Sequence, residues 1–414
     1  MMEYVLRYKK LIKRMIPQKT RAWFRVWAGR RLAAKIAAQR DLRREYLWGV
    51  NLYGNVSAAS GLAEAARGVQ RGTERAGVPL CVKDLGAETE LRSAAPYRIN
   101  LIHTNPDLML EPLLKIPQEQ WLGRYNIGFW VWEQEELPRE WAGFLPLFDE
   151  IWTPSEFCAS AIRASCTLPV TVIPHIVEPV CDTTCVRAEM GLPEDVFLFL
   201  VMFDNDSVSE RKNPWGVIRA FRQAFEGKDE KVGLVIKARN LDDRTRKKLQ
   251  EQLKGCPYVW LLEGDYSKKT VNSLIRMSDV YVSLHRAEGF GLVPAEAMYL
   301  GTPVIATNWS ANTEFMNEDT ACLVDAELVR LEKDILPYRK GSRWAQPNLE
   351  QAAGYMRRLY EDEEYRTGLT QRAGVCIRER LSTERIAQLL SARLTEIKRE
   401  LDGHVIPDAD DPLL

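Results

Sequence analysis

One stretch of this chain concentrates residue types suited to a charged ligand: His285-Arg286-Ala287-Glu288-Gly289-Phe290-Gly291-Leu292, followed by Val293-Pro294-Ala295-Glu296. Glycine has no Cβ, so Gly289 and Gly291 let the main chain approach a ligand closely. The apolar run Val280–Leu284 reads as a buried strand, and Pro294 suits the first turn of a helix after it. Amides entering that helix can face an anion, and the helix dipole favours negative charge there. Glu288 falls on the loop at the carboxyl end of a strand, where open α/β sheets bind ligands, and Glu296 is expected in the first helical turn. Two carboxylates flanking a phosphate-sized nest fit a sugar nucleotide. On spacing alone a plainer alternative stays open: glycines that make a turn and glutamates that favour a helix N-terminus.

The complete string is more specific. Glu288-Gly289-Phe290-Gly291-Leu292-Val293-Pro294-Ala295-Glu296-Ala297-Met298, running on to Gly301-Thr302-Pro303-Val304-Ile305-Ala306, resembles the Glu-x7-Glu motif of retaining glycosyltransferases of family 4, the group 1 glycosyl transferases. The resemblance implies that Glu288 orients a donor sugar and Glu296 holds the ribose, with Gly289, Phe290, Gly291 and Leu292 at the diphosphate. Thr307-Asn308-Trp309-Ser310-Ala311-Asn312-Thr313-Glu314 stands where the family has a Gly-Gly or Ser-Gly turn before Glu, so the local turn is left open. Ser209-Glu210-Arg211-Lys212-Asn213-Pro214 resembles the family's basic diphosphate-binding segment. By that match Lys212, helped by Arg211, neutralises charge on the leaving nucleotide. Asp206 occupies the place of a separate family arginine.

Other parts of the resemblance lie upstream. Gly54-Asn55-Val56 and Ser60-Gly61-Leu62-Ala63-Glu64 resemble the glycine-containing loop that closes over the donor phosphate from the opposite domain, with Gly61 as the approach point. Gly128-Phe129-Trp130-Val131-Trp132-Glu133 resembles a Gly-Tyr-Trp-x-Trp-Glu run of one branch, which makes Trp132 and Glu133 acceptor-side candidates; His103, at the end of another strand, is a third, and a structural role stays open for each. Pro174-His175-Ile176 takes the place of a Pro-Asn-Gly linker run. The resemblance spans roughly residues 46–400.

The elements that must position these residues alternate. Apolar strands at Leu47–Leu52, Pro79–Lys83, Ile99–His103, Ile127–Trp132, Glu150–Thr153 and Val170–Ile173 precede a Pro/Cys/Asp-rich connection, Pro174–Cys185. Alternation restarts at Val196–Phe203 and continues through Val232–Lys237, Val259–Leu262, Val280–Leu284, Pro303–Ala306 and Ala321–Val324, with helices between and after them, the last two at Leu349–Glu361 and Ser382–Leu401. Strands rich in Val, Ile and Leu alternating with helices indicate parallel sheets covered on both faces. The expected fold is therefore α/β of GT-B type: two Rossmann-like, doubly wound domains facing a cleft. The expected divisions are a basic helical extension over 1–45, an acceptor-side domain over 46–180, a nucleotide-sugar domain over 181–375, a helix over 376–402 returning to the first domain, and a disordered tail over 403–414.

Charge is balanced overall, with 57 Lys+Arg against 57 Asp+Glu, but it is unevenly placed. Residues 1–45 carry fourteen basic and three acidic side chains, net +11, which leaves −11 on the rest. A basic helix with Trp23, Phe24 and Trp27 either lies on an anionic membrane surface or packs on a protein. Eight cysteines without a framework and four histidines argue against disulfides and a zinc site, and no apolar run reaches membrane-spanning length. Asp204-Asn205-Asp206 has the form of the metal-binding signature of the other large glycosyltransferase architecture, which lacks two alternating blocks.

The resemblance thus implies a retaining, metal-independent, hexosyltransferase-like enzyme without a cofactor. It would move a sugar from a nucleotide-diphosphate sugar to a glycan or lipid-linked saccharide in surface polysaccharide synthesis. The expected location is cytoplasmic, peripheral at the inner membrane face, with no nucleic-acid partner. Rival readings are a sugar-nucleotide epimerase, a glycoside phosphorylase, or a catalytically inactive membrane-associated scaffold, because fold alone does not separate them.

Overall fold

The computed structural model describes residues 18–40, 46–256 and 258–403, so expectations for residues 1–17, 41–45 and 404–414 lie outside it. The first sheet comprises β1 (Leu47–Gly54), β2 (Leu80–Asp84), β3 (Tyr97–His103), β4 (Tyr125–Phe129), β5 (Glu150–Thr153) and β6 (Val170–Val172), in the order β2-β1-β3-β4-β5-β6. The second comprises β7 (Phe197–Asp204), β8 (Val232–Arg239), β9 (Val259–Glu263), β10 (Val280–Ser283), β11 (Val304–Thr307) and β12 (Cys322–Val324), in the order β12-β11-β10-β7-β8-β9. Every neighbouring pair in both sheets is parallel. The two Rossmann-like domains of a GT-B fold are therefore present.

These orders locate the crevices. In a doubly wound sheet, chain connections leave in opposite directions at one point, and the loops there splay to leave a ligand groove. In the first sheet that point lies between β1 and β3, where Gly54 is in register with His103. In the second it lies between β7 and β10. The helices that follow these strands are fixed by side-chain caps. Ser60 accepts from Ala63 N at 3.2 Å to start Gly61–Arg75, and Asn213 accepts from Gly216 N at 3.1 Å to start Pro214–Phe225.

The closing helix, Thr383–Gly403, lies on the first domain. Its Ile386, Leu390, Leu394 and Ile397 share a core with Val50, Leu52 and Leu101. Gly72 makes that approach possible, since a Cβ there would stand 2.7 Å from Leu390 Cδ1. Arg393 also reaches the fully buried Glu150 at 2.9 Å.

Two elements escape a reading by pattern. The helix Glu363–Leu381 begins one residue after its predecessor, with Asp362 capping Tyr365 N at 2.8 Å. Its buried face comprises Leu369, Ala373, Gly374, Ile377 and Leu381, so two of its five positions are the small residues Ala and Gly. An antiparallel hairpin, β13 (Ala326–Arg330) and β14 (Arg343–Pro347), follows β12. Most of β13 faces solvent, so it lacks the apolar alternation by which a strand is recognised.

Candidate active site

Glu288 lies on the loop between β10 and the helix Leu292–Leu300, and Lys212 ends the short helix Ser209–Lys212 that follows β7. The two meet across the β7/β10 crevice: Lys212 Nζ donates to Glu288 Oε2 at 2.5 Å, and Arg211 Nη1 lies 3.4 Å from the same oxygen. Arg211 also donates to the Ala287 carbonyl at 3.0 Å and approaches Glu133 of the first domain at 3.7 Å. Burial pushes the Glu288 carboxyl up, but Lys212, Arg211 and His285 outweigh it and hold it down at about 2. Burial draws the Lys212 ammonium below the usual lysine range, against the pull of Glu288. The result is an ionised carboxylate beside two cations at a sheet's ligand-binding edge.

The unusual segment Thr307–Glu314 shapes this loop. Ser310, with φ 75°, accepts from Glu288 N at 3.0 Å, and Ala311 N donates back to the Glu288 carbonyl at 3.3 Å. Asn312 lies 3.0 Å from His285 Nε2 and donates to the Thr307 carbonyl at 3.0 Å. Ser310 thus takes up the positive φ that a glycine would supply, and its hydroxyl together with the Asn312 side chain holds the loop in place.

Glu296 falls in the second turn of its helix rather than the first, because Gly291, with φ 95°, is the N-cap and Leu292 the first helical residue. Its side chain is almost wholly buried and accepts from Lys268 Nζ at 2.5 Å. Burial raises the Glu296 carboxyl and Lys268 opposes that. Glu64 faces the same Lys268–Glu296 pair from the helix that Gly61 begins, so the first domain's glycine loop stands opposite. Arg239 of β8 donates to the Ala59 carbonyl, joining the two sides.

The glycine motif divides its work. Gly289 packs against the first domain: a Cβ there would stand 2.6 Å from Val131 Cγ1 and 3.1 Å from the Trp132 carbonyl. The Gly289 carbonyl accepts from Ser155 Oγ at 2.8 Å. The Phe290 ring is buried beside Phe315 and His175. Leu292 is partly buried against the second-domain core.

Among the acceptor-side candidates, Glu133 is joined to the cluster through Arg211, and it accepts from Tyr338 Oη at 3.3 Å. Trp132 is buried, with its indole donating to the Glu136 carbonyl at 2.7 Å. His103 is buried and stacked on Phe129 at 4.5 Å, and its ring nitrogens have no hydrogen-bond partner among the described residues. Asp204 is occupied as a local cap, accepting from Asp206 N at 3.0 Å and Asn240 Nδ2 at 2.9 Å.

Sequence reading missed Lys268, Glu64, Lys237 and Tyr338. Lys237 was the most visible, as a lysine inside the apolar run of β8. It is buried, lies 5.8 Å from the Tyr266 ring centre, and burial lowers it to about 8. Tyr338 had no local signal, since it reaches the site on the loop between β13 and β14. With Leu331 and Trp344 it enters the first domain's core beside Trp132 and Trp141. Arg343 grips Glu135 through two bonds of 2.9 and 2.8 Å, and Arg339 meets Glu140 at 2.6 Å. The hairpin is a clasp between the domains.

Comparison with known proteins agrees with this architecture. No curated protein sequence matches the chain. Among solved structures, Anabaena HepE in complex with UDP and glucose superposes with a TM-score of 0.62 at 14% identity, over 84% of this chain and 100% of that one. Sucrose-phosphate synthase from Thermosynechococcus elongatus gives 0.62 at 15% identity, over 86% and 100%. The pneumococcal O-GlcNAc transferase GtfA, in complex with UDP and GlcNAc, gives 0.53 at 13% identity, over 72% of this chain and 57% of that one. At such identities the likeness concerns the fold. Residues 200–374, which contain Lys212, Glu288 and Glu296, match the family described as glycosyl transferases group 1. Over residues 200–374 this chain is therefore similar to the glycosyl transferases group 1, and its two parallel sheets have the GT-B arrangement.

Proposed function

We propose that this protein is a retaining glycosyltransferase that moves a sugar from a nucleotide-diphosphate sugar to a hydroxyl of a saccharide or lipid-linked saccharide. The observation that carries the proposal is the Lys212–Glu288 pair at the β7/β10 crevice, in the domain whose Lys268–Glu296 pair faces Glu64 of the helix that Gly61 begins. In this reading the donor diphosphate takes over Lys212 and Arg211, and their charge stabilises the leaving nucleotide. Glu288, released from that pair, accepts hydroxyl hydrogens of the donor sugar. Glu296, fixed by Lys268, accepts from the ribose. The leaving phosphate itself takes the acceptor proton, and the tightly apposed domains exclude water that would hydrolyse the donor.

The cations in place are protein side chains, so we propose transfer without a metal or other cofactor. UDP-sugars are the first donors to try, because HepE and GtfA were both captured with UDP. The proposed setting is the cytoplasmic face of a membrane in surface polysaccharide synthesis. Among the described residues, no helix is long and apolar enough to cross a membrane.

The test is a thermal-shift screen of nucleotide-sugars with and without magnesium, followed by NMR of the product's anomeric centre. Stabilisation by one nucleotide-sugar family, independent of magnesium and much reduced in Lys212→Ala, is expected. An inverted anomer would reject retention. Turnover of donor to an isomer without acceptor would instead identify an epimerase.

A further inference from the structure

We propose that the helix Gln18–Ala37 is a docking surface for an anionic lipid bilayer, with Trp23, Phe24 and Trp27 as the inserting residues. The helix has two unlike faces. Gly29, Ala33 and Ile36 are buried on the first domain, and Gly29 lies close enough to Phe144 that a Cβ would stand 3.0 Å from its ring. On the outer side Trp23 is 62% exposed, Phe24 54% and Trp27 39%. These three form one patch: Trp23 stacks on Trp27 at 6.1 Å, and Phe24 lies 5.8 Å from Trp27. Three clustered aromatics in water are unfavourable unless something covers them.

Charge selects the occupant. The helix carries Lys19, Arg21, Arg25, Arg30, Arg31 and Lys35 and no acidic residue. The guanidinium of Arg31 lies 4.5 Å from the Trp27 ring centre, within the aromatic patch. Aromatic rings suit the depth of lipid headgroups, and arginine stems cover apolar surface while their heads reach phosphate. An anionic bilayer satisfies both at once. A neutral apolar groove would satisfy the rings and leave Arg31, which lies over the Trp27 ring, without an anionic partner.

The docking does not depend on the transferase reading, but its consequence does. The helix rests on Arg139–Leu147 and on the segments Pro106–Leu108 and Leu110–Lys115. The first of these follows Trp132 and Glu133 in the chain and packs with Trp132 through Trp141. A bilayer held by the helix would therefore lie on the domain that carries the acceptor-side candidates, which suits a lipid-linked acceptor.

Flotation of the full chain with phosphatidylcholine vesicles, with and without about 30% phosphatidylglycerol, tests the proposal. The wild type should float with the anionic vesicles only, with a blue shift of tryptophan emission. The combined variant Trp23→Ser, Phe24→Ser, Trp27→Ser should lose binding roughly tenfold or more while melting at the wild-type temperature, because its changed side chains face outward. Equal flotation of wild type and variant would overturn the proposal, since binding would then belong to other basic residues. A wild type that stays unbound, or that self-associates through the patch and becomes monomeric in the variant, would also overturn it. Failure here with intact donor binding by Lys212 would leave the transferase reading standing.

Discussion

Ser155 donates to the Gly289 carbonyl at 2.8 Å, so the loop that carries Glu288 is fastened to the opposite domain. Cys158 Sγ reaches the same carbonyl at 3.2 Å. The carboxylate of Glu314, a few residues beyond the loop's Ser310 support, caps the amides of Glu156 and Phe157 at 3.0 and 2.8 Å. The candidate donor site is therefore built with the domains touching, and its geometry depends on both.

Gly289→Ala tests that dependence. The added methyl would meet Val131 and the Trp132 carbonyl, and a backbone carbonyl cannot swing aside. The domains should part slightly, with kcat/KM falling about 10²-fold for a displacement on the ångström scale. Small-angle scattering should show a larger radius of gyration while circular dichroism stays unchanged. A variant with wild-type kcat/KM would show that this apposition is not required.

Glu288→Gln leaves Lys212 and Arg211 facing each other without their shared carboxylate. Loss of a buried partner of this kind costs about 3 kcal/mol. Because the folded carboxyl is held at about 2 against an ordinary 4.5, its stabilisation is complete above the ordinary value and is lost as pH falls toward 2. Urea unfolding should therefore separate wild type and variant at pH 7 and bring them together on acidification through that window. Activity should fall roughly 10²–10³-fold, the size expected when a group acting on transition-state charge is removed.

The clasp can be examined by a charge swap between Arg343 and Glu135. Both are partly exposed, so their pairing contributes only about 0.2–1 kcal/mol, and burial of Leu331, Tyr338 and Trp344 carries most of the clasp. Arg343→Glu should loosen the closed form and raise the donor KM a few-fold. Adding Glu135→Arg should restore it, as read in a double-mutant cycle. Additive effects in that cycle would mean that the pair does not couple the domains.

Burial lowers His103 to about 4 and His175 to about 3. In the unfolded chain both protonate near an ordinary value of about 6.5. Below that value the unfolded state binds protons that the folded state refuses, so stability should fall as pH drops from about 6.5 toward 4. His103→Phe keeps the stacking on Phe129 and removes one proton from the balance. Its urea midpoint should decline less steeply with acid than that of the wild type.

Local pattern was enough for the two alternating blocks, because strand runs such as Val232–Lys237 are defined within a few residues. Glu288, Glu296, Lys212, Arg211 and Gly61 were singled out by the family resemblance of three separate strings, because local spacing by itself left a plain turn and a helix start open. Tertiary structure decided which of these meet. Lys212 and Glu288 are 76 residues apart and become partners because the strand order reverses between β7 and β10. Lys268 found Glu296, and Tyr338 found Glu133, by the same long-range route, and neither pairing leaves a periodic trace in the sequence. Gly289 is the clearest case. Sequence marks it as a place of close approach, but only packing shows that what approaches includes the other domain's Val131 and Trp132, because the missing Cβ says that space is needed and not what fills it.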